Sequence, residues 1–328
     1  MRAWTTGSTP GALILEDDAV PDTTPGELLV KVEACGVCRT DLHVVDRDLP
    51  VHRPGVVPGH QVVGTVAGTG ADVRIARLGD RVGIAWLRHT CGACTWCRSG
   101  RENLCPTSEY TGWDADGGFA EYAIVPEAFA YPLPADVDPV EIAPLLCAGI
   151  IGYRALRRAN VPPGGRLGIY GFGSSAQLTA GLAMAAGARI FAMTRGEENR
   201  ALARRMGAVF VGDATAAPPE ALDSAIVFAP AGELVPVALR ATDRGGTVVL
   251  AGIHMTDIPA MGYAEHLFDE RDLRTVTANT RADGEAFLRL ARTLHLTPAV
   301  TRYPFARVAE ALDDLRAGRV GGSLVITM

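Results

Sequence analysis

Residues 167–193 read LGIYGFGSSAQLTAGLAMAAGARIFAM. The apolar run Leu167–Tyr170 stops at a glycine turn, an Ala-rich stretch of helical character follows over Ser175–Ala186, and a second β-type run occupies Arg189–Met193. Strand, glycine turn, helix and strand make a βαβ unit of a parallel sheet. The turn itself is Gly171-Phe172-Gly173-Ser174-Ser175-Ala176, a Gly-x-Gly-x-x-Ala dinucleotide fingerprint in the strand-to-helix setting it requires. Its glycines let the backbone approach a pyrophosphate, and the helix N-terminus supplies free N–H groups and a dipole. Gly171, Phe172, Gly173, Ser174 and Ser175 are therefore candidate cofactor-binding residues. Where the second strand ends, a carboxylate would hold the ribose of NAD, yet this chain has Thr194 and Arg195. An arginine grips a 2'-phosphate, so NADP(H) is favoured over NAD(H), unless Glu197 or Glu198 folds back onto the ribose.

The same grammar runs on, with a helix predicted over Glu198–Met206 and strands over Ala225–Phe228 and Thr247–Ala251. Ala229 and Ile253 fall just beyond those strands, at the carboxyl ends where doubly wound sheets bind ligands. Up to about Val140 the chain instead reads as short β-runs between Gly/Pro punctuation: Glu27–Glu33, Gln61–Ala67, Arg81–Ala85 and Ala120–Val125. Helical stretches at Asp283–Thr293 and Phe305–Ala317 and a strand at Ser323–Thr327 close it. The expectation is an α/β two-domain protein, a β-rich part followed near residue 150 by a doubly wound parallel sheet.

With 328 residues, 48% apolar and 21% charged, the chain has material for two domains and is neither disordered nor fibrous. Thirty-one basic against 37 acidic residues leave a net charge of −6, no footprint for nucleic acid. The longest uncharged apolar-leaning run, Leu178–Ala188, is about half of the ~20 residues a membrane span needs. Met1–Pro10 lacks the regions of a signal peptide, so a cytoplasmic protein with reduced thiols is expected.

Seven cysteines stand at 35, 38, 91, 94, 97, 105 and 147. An odd number in a reducing compartment does not suit a disulfide framework. Cys91, Cys94, Cys97 and Cys105 form Cys-x2-Cys-x2-Cys-x7-Cys, and four thiolates saturate a tetrahedral Zn2+, leaving a closed, structural site. An iron-sulfur cluster is the other four-cysteine possibility. Cys38, His60 and Cys147 lie far apart, and spacing does not join them.

Gly36-Val37-Cys38-Arg39-Thr40-Asp41-Leu42-His43, Pro58-Gly59-His60-Gln61, Gly79-Asp80-Arg81-Val82-Gly83 and the four-cysteine loop resemble the zinc-dependent medium-chain alcohol dehydrogenases. The likeness runs in order through Gly171-Phe172-Gly173 over nearly the whole chain. It implies a GroES-like catalytic domain, residues 1–150 and 282–328, and a Rossmann domain, residues 151–281. It also implies two zinc ions per chain, the catalytic one on Cys38, His60 and Cys147. Two thiolates and an imidazole leave zinc a fourth position for substrate, where it acts as a Lewis acid. The resemblance further implies a proton exit through Thr40, a ribose hydroxyl and His43, and Arg39 is expected at the cofactor pyrophosphate. Asp41 is a candidate to orient His60, or simply a helix cap.

One position departs from the family pattern, since Gln61 stands where a glutamate usually follows the ligand histidine. Zinc binding is expected to persist with altered exchange of the fourth ligand. Trp86, Leu87 and Trp113 are expected in the pocket wall or the core, Cys35 is a buried small hydrophobe, and His52, His89, His266 and His295 carry no motif. The activity implied is reversible hydride transfer between a primary or secondary alcohol and its aldehyde or ketone, in a homotetramer or homodimer. The rivals are a biosynthetic reductase of an activated C=C or iminium and a non-catalytic cofactor-sensing zinc protein.

Overall fold

Six parallel strands, at 166–170, 189–193, 210–212, 222–227, 242–250 and 272–275, form one sheet in the computed structural model, which describes residues 1–328. Numbered along the chain they lie in the order 3-2-1-4-5-6, so the order reverses between the first and fourth. This is the doubly wound Rossmann arrangement, whose ligands sit at that reversal. Helices Ser174–Ala185, Glu197–Arg205 and Leu234–Ala241 supply the crossovers. The strands read as near-continuous apolar runs because helices cover both faces of such a sheet; Leu167, Ile169, Ile190, Ala192, Ile226 and Val249 fill one layer, and Tyr170, Phe191, Met193, Val227 and Val248 another.

The N-terminal part is built on an antiparallel sheet around the long strand Glu27–Val37. That strand pairs with Gln61–Thr69 on one side; on the other its first half meets Tyr122–Pro126 and its second half meets the C-terminal strand Ser323–Thr327. Leu28, Val30 and Val32 alternate into the core, as one-sided burial dictates. Cys35 sits in that core, between Val62 and Ile326 in register, with no accessible surface. The pairing of Gly36 with Gln61 has the larger consequence: it brings the end of one strand, with Cys38 just beyond, alongside the start of the other, with His60 just before.

The chain divides into two compact units, Met1–Cys147 with Thr280–Ala286 and Thr297–Met328, and Ala148–Asn279 with Phe287–Leu296. Residues 287–296, which the expected division at 282 assigns to the catalytic part, group here with the second unit. The reason is packing. Phe287 is fully buried, and its ring occupies the space a Cβ at Gly149 would need, 2.2 Å from the ring atoms. Helix Arg281–Thr293 therefore contributes its first residues to one unit and its remainder to the other. Smaller differences are a 3-10 turn, Phe305–Arg307, before helix Val308–Ala317, and a fifth Rossmann strand that begins at Thr242. No single helix is long and apolar enough to cross a membrane.

Candidate active site and metal centres

Cys38 caps helix Arg39–Val45. Its Sγ accepts the Thr40 N–H at 3.3 Å, while Oδ2 of Asp41, three residues on, accepts the Cys38 N–H at 2.8 Å. This reciprocal box ties the cysteine to the helix start. Oδ1 of Asp41 accepts the Gly59 N–H at 3.1 Å and faces His60 Nδ1 at 3.0 Å. Asp41 is thus both helix cap and histidine orienter. Gly59 has φ +96°, and a Cβ there would lie 2.7 Å from Phe119 and 2.9 Å from Cys35 Sγ, so the turn that delivers His60 admits glycine only.

His60 Nε2 lies 3.3 Å from Cys38 Sγ, and with Cys147, at the end of the 3-10 turn Ala143–Leu146, the three donor atoms fall within 4.8 Å of one another. Tetrahedral zinc with the usual bond lengths separates sulfur and nitrogen by about 3.6 Å. Asp41 and His60 are each 1% exposed. Burial alone would depress the imidazole, but the Asp41 carboxylate and the Cys38 thiolate outweigh it and push His60 up to about 10. Cys38 is held well below the ordinary thiol range, first by the Cys147 thiol's hydrogen bond and then, against burial, by His60; Cys147 moves up in exchange. The surroundings hold positive charge at this spot, and a divalent cation meets that demand better than a proton. The donor set therefore fits zinc.

The second cluster is Cys91, Cys94, Cys97 and Cys105, all sulfurs within 4.8 Å. Separations of 3.5 Å (Cys94–Cys97), 3.6 Å (Cys91–Cys105) and 3.9 Å (Cys91–Cys97) match the ~3.8 Å edge of a tetrahedral ZnS4 group. Backbone N–H groups of Cys91, Cys94 and Cys97 point at the sulfurs of Cys105, Cys91 and Cys94, which favours thiolates. Burial raises Cys105, but the Thr107 hydroxyl and the Cys91 N–H prevail and bring it down to about 6.

Around the first cluster, Thr40 is buried and His43, on the last turn of the same helix, places Nδ1 2.8 Å from Asp48. Arg39 is exposed. Trp86 sets its ring edge-on to His60 at 4.9 Å and stacks on Tyr110 at 5.0 Å and Trp113 at 5.9 Å, while Trp113 stacks on His52 at 3.9 Å. Tyr110 and His52 had no sequence signal, since ring stacking across loops leaves no spacing to read. Leu87 is buried beside Trp86 in the core. Gln61 is buried against Gly36, and its Nε2 has no hydrogen-bond partner.

In the Rossmann unit Gly171 takes φ +86°, and a Cβ there would sit 2.9 Å from the Ala229 nitrogen. Gly173 begins helix Ser174–Ala185 without a side-chain cap, so its dipole end is free for an anion. Phe172 turns its ring into the core, leaving its backbone to the turn. Thr194 is 3% exposed, and its Oγ1 accepts the Phe172 N–H at 3.2 Å. It braces the loop from behind. Arg195 is exposed, and Glu197 is tied to Arg200 at 3.0 Å and Arg204 at 2.6 Å. Ala229 and the exposed Ile253 follow strands four and five.

Comparison with known proteins adds three findings. Residues 24–135 match the family model of the alcohol dehydrogenase GroES-like domain, and residues 176–293 that of zinc-binding dehydrogenases. The chain is 58% identical over 312 residues to a probable alcohol dehydrogenase of Mycobacterium tuberculosis, covering 94% of this chain and 90% of that one. It is 32% identical over 337 residues to an alcohol dehydrogenase of Geobacillus stearothermophilus, covering 100% and 99%. Among solved structures, the cobalt- and zinc-bound thermostable alcohol dehydrogenase of Pyrobaculum aerophilum superposes with a TM-score of 0.92 at 25% identity, covering 100% of this chain and 99% of that one.

Proposed function

The chain belongs to the zinc-dependent medium-chain alcohol dehydrogenases, and from that premise we propose that it interconverts a primary or secondary alcohol and its aldehyde or ketone, with two zinc ions per chain and NADP(H). The observation that carries the reading is the Cys38, His60 and Cys147 group, three ligands with an electron-rich field and room in a tetrahedron for a fourth. Bound there, zinc would act as a Lewis acid toward the alcohol or carbonyl oxygen.

The residues around it have distinct tasks. Asp41 holds Nδ1 of His60 and so leaves Nε2 to face the metal. Thr40 passes the alcohol proton on by its hydroxyl, and His43 accepts it toward solvent. Trp86, Tyr110 and Trp113 form a wall beside His60 that keeps water from the reacting carbon. Gly171 and Gly173, with the uncapped helix of Ser174 and Ser175, receive the pyrophosphate, joined by Arg39. Arg195 grips the 2'-phosphate of NADP(H). Glu197, which would oppose it, is supported in a side role by its ties to Arg200 and Arg204. Ala229 and Ile253 line the nicotinamide half. Cys91, Cys94, Cys97 and Cys105 hold the second zinc and stiffen their loop.

Metal analysis of the purified protein is expected to return two zinc ions per chain, and a chelator that removes one is expected to abolish turnover on an alcohol and aldehyde panel. Specificity constants are expected to favour NADPH, with Arg195→Ala losing roughly tenfold or more for NADPH and little for NADH. One zinc per chain, or a tenfold preference for NADH, would defeat the reading.

A further inference from the structure

A file of three rings leads from solvent to His60. His52 is outermost, its side chain 43% exposed, and stacks on Trp113 at 3.9 Å with 18° between the planes. Trp113 lies within 10° of parallel to Trp86 at 5.9 Å, and the buried Trp86 sets its ring against His60 at 4.9 Å. Tyr110 flanks the file, 5.0 Å from Trp86 and 5.8 Å from Trp113. The outer rings come from two loops that are stitched together. Trp113 Nε1 donates to the Pro50 carbonyl at 2.8 Å, the Asp114 carboxylate meets His52 Nδ1 at 2.6 Å and accepts the Tyr110 N–H at 2.8 Å, and Arg53 pairs with Asp116 at 2.9 Å. Trp113 and His52 also border a cavity of about 130 Å3, shared with Pro50, Arg53 and Val56. Close packing fixes a core side chain, but beside a cavity an indole has room to turn, so here its orientation depends on the stitches.

We propose that His52 and Asp114 are positioning residues for substrate choice, holding Trp113 in register with Trp86 so that the wall beside His60 selects an aryl alcohol or its carbonyl counterpart. Asp114 bonds both His52 and the Tyr110 backbone, which fixes the imidazole plane, and the imidazole then covers the outer face of Trp113. The polar atoms of the wall are committed within the protein: Trp113 Nε1 to Pro50, and the Tyr110 hydroxyl to Ser108 at 2.9 Å. What remains for a substrate is ring face and ring edge, which reward a flat ring by offset or edge contact. The same surface leaves the extra hydroxyls of a polyol unpaired, and a short aliphatic alcohol touches little of it. Without His52, Trp113 turns toward the cavity and the wall loses a ring, while His60 stays tied to Asp41. This rests on the reading of Cys38, His60 and Cys147 as the centre of alcohol oxidation.

The test compares kcat/KM for benzyl alcohol and for propan-1-ol, with whichever of NADP+ and NAD+ the wild type uses better. The wild type is expected to favour benzyl alcohol by roughly tenfold or more. His52→Ala and Asp114→Asn are each expected to cut that preference roughly three- to tenfold, through a raised KM for benzyl alcohol, with kcat for propan-1-ol and zinc content unchanged. His52→Phe, which keeps a flat ring over the indole, is expected to retain most of the preference. Added to Trp113→Ala, His52→Ala is expected to change the preference no further, because its partner is gone. A structural role would lower both alcohols together, and a parallel loss of that kind overturns the proposal. So does an unchanged preference in His52→Ala beside a reduced one in Trp113→Ala. A wild type that oxidises the two alcohols equally well overturns the aryl assignment, and turnover of neither overturns the alcohol reading and the proposal with it.

Discussion

Asp41 is the residue on which the metal reading is most exposed to test. Its two oxygens serve three donors, the N–H groups of Cys38 and Gly59 and the His60 ring. In Asp41→Asn a single amide oxygen serves at most two of them, and the NH2 group faces the third as a second donor. Set toward Gly59 and His60, the amide orphans the Cys38 N–H and opens the capping box; reversed, it orphans the other two. One buried donor without a partner costs about 1–3 kcal/mol. Loss of a carboxylate behind a ligand histidine lowers metal affinity by about 10–100-fold. Zinc analysis after dialysis against a competing chelator is therefore expected to find about one zinc per chain in Asp41→Asn where the wild type keeps two, the retained ion belonging to the four cysteines. Thermal melting should fall by roughly 2–4 °C per kcal/mol for a unit of this size. Equal zinc content and equal release rate in variant and wild type would refute the argument that Asp41 anchors the site.

Three further expectations follow from packing and charge. Arg281 donates its backbone N–H and guanidinium to the buried Glu102 at 2.6–3.2 Å and lies 4.6 Å over the Phe129 ring, so Glu102→Gln should cost about 1–3 kcal/mol in chemical denaturation. Burial raises the Glu102 carboxyl, but the Arg281 bonds exceed that effect and leave it lowered. Its stabilisation is therefore present above the unfolded carboxyl pKa of about 4.3 and lost as pH falls through the folded value, and the gap between wild type and Glu102→Gln should close below about pH 4. Gly149→Ala should destabilise by about 1–3 kcal/mol through overlap with Phe287, and Phe287→Leu should recover part of it, as denaturation midpoints of the two variants and their combination would show. Gly171→Ala forces an L-residue to φ +86° against Ala229; the KM for NADPH should rise roughly tenfold with zinc content unchanged, and an unaltered KM would remove the turn from the cofactor site.

Local grammar was enough for the elements whose periodicity and punctuation lie in one stretch. The strand Arg189–Met193 ends where its β-run ends because Thr194-Arg195-Gly196 follows, and Ser323–Thr327 begins where its run begins because Gly321-Gly322 precedes it. The four-cysteine loop was equally legible, since all its ligands share fifteen residues. Cys147 was different: nothing near it marks a ligand, and it meets Cys38 and His60 only through the Gly36–Gln61 register and the turn after Ala143. The Trp86 stack on Tyr110, the His52 stack on Trp113 and the Glu102–Arg281 pair join residues from separate loops, so they exist only once the sheet is formed. The bond from the Phe172 N–H to the Thr194 hydroxyl was not legible either, because it ties the glycine turn to the end of the second strand, 22 residues apart in sequence.

Cys35 has the quietest environment of the seven thiols. Its Sγ is sealed in the sheet, where a Cβ on Gly59 or Gly118 would approach within 2.9 Å, and burial pushes its thiol far up. On the two-zinc proposal six sulfurs answer to metal and one answers only to the fold, and that difference would make the chain its own two-channel reporter. In a thiol-labelling time course, up to six modified cysteines measure demetallation of an intact protein, and the seventh appears only when the antiparallel sheet opens. Loss of zinc and loss of structure, usually confounded in enzymes of this kind, become separately countable in a single sample.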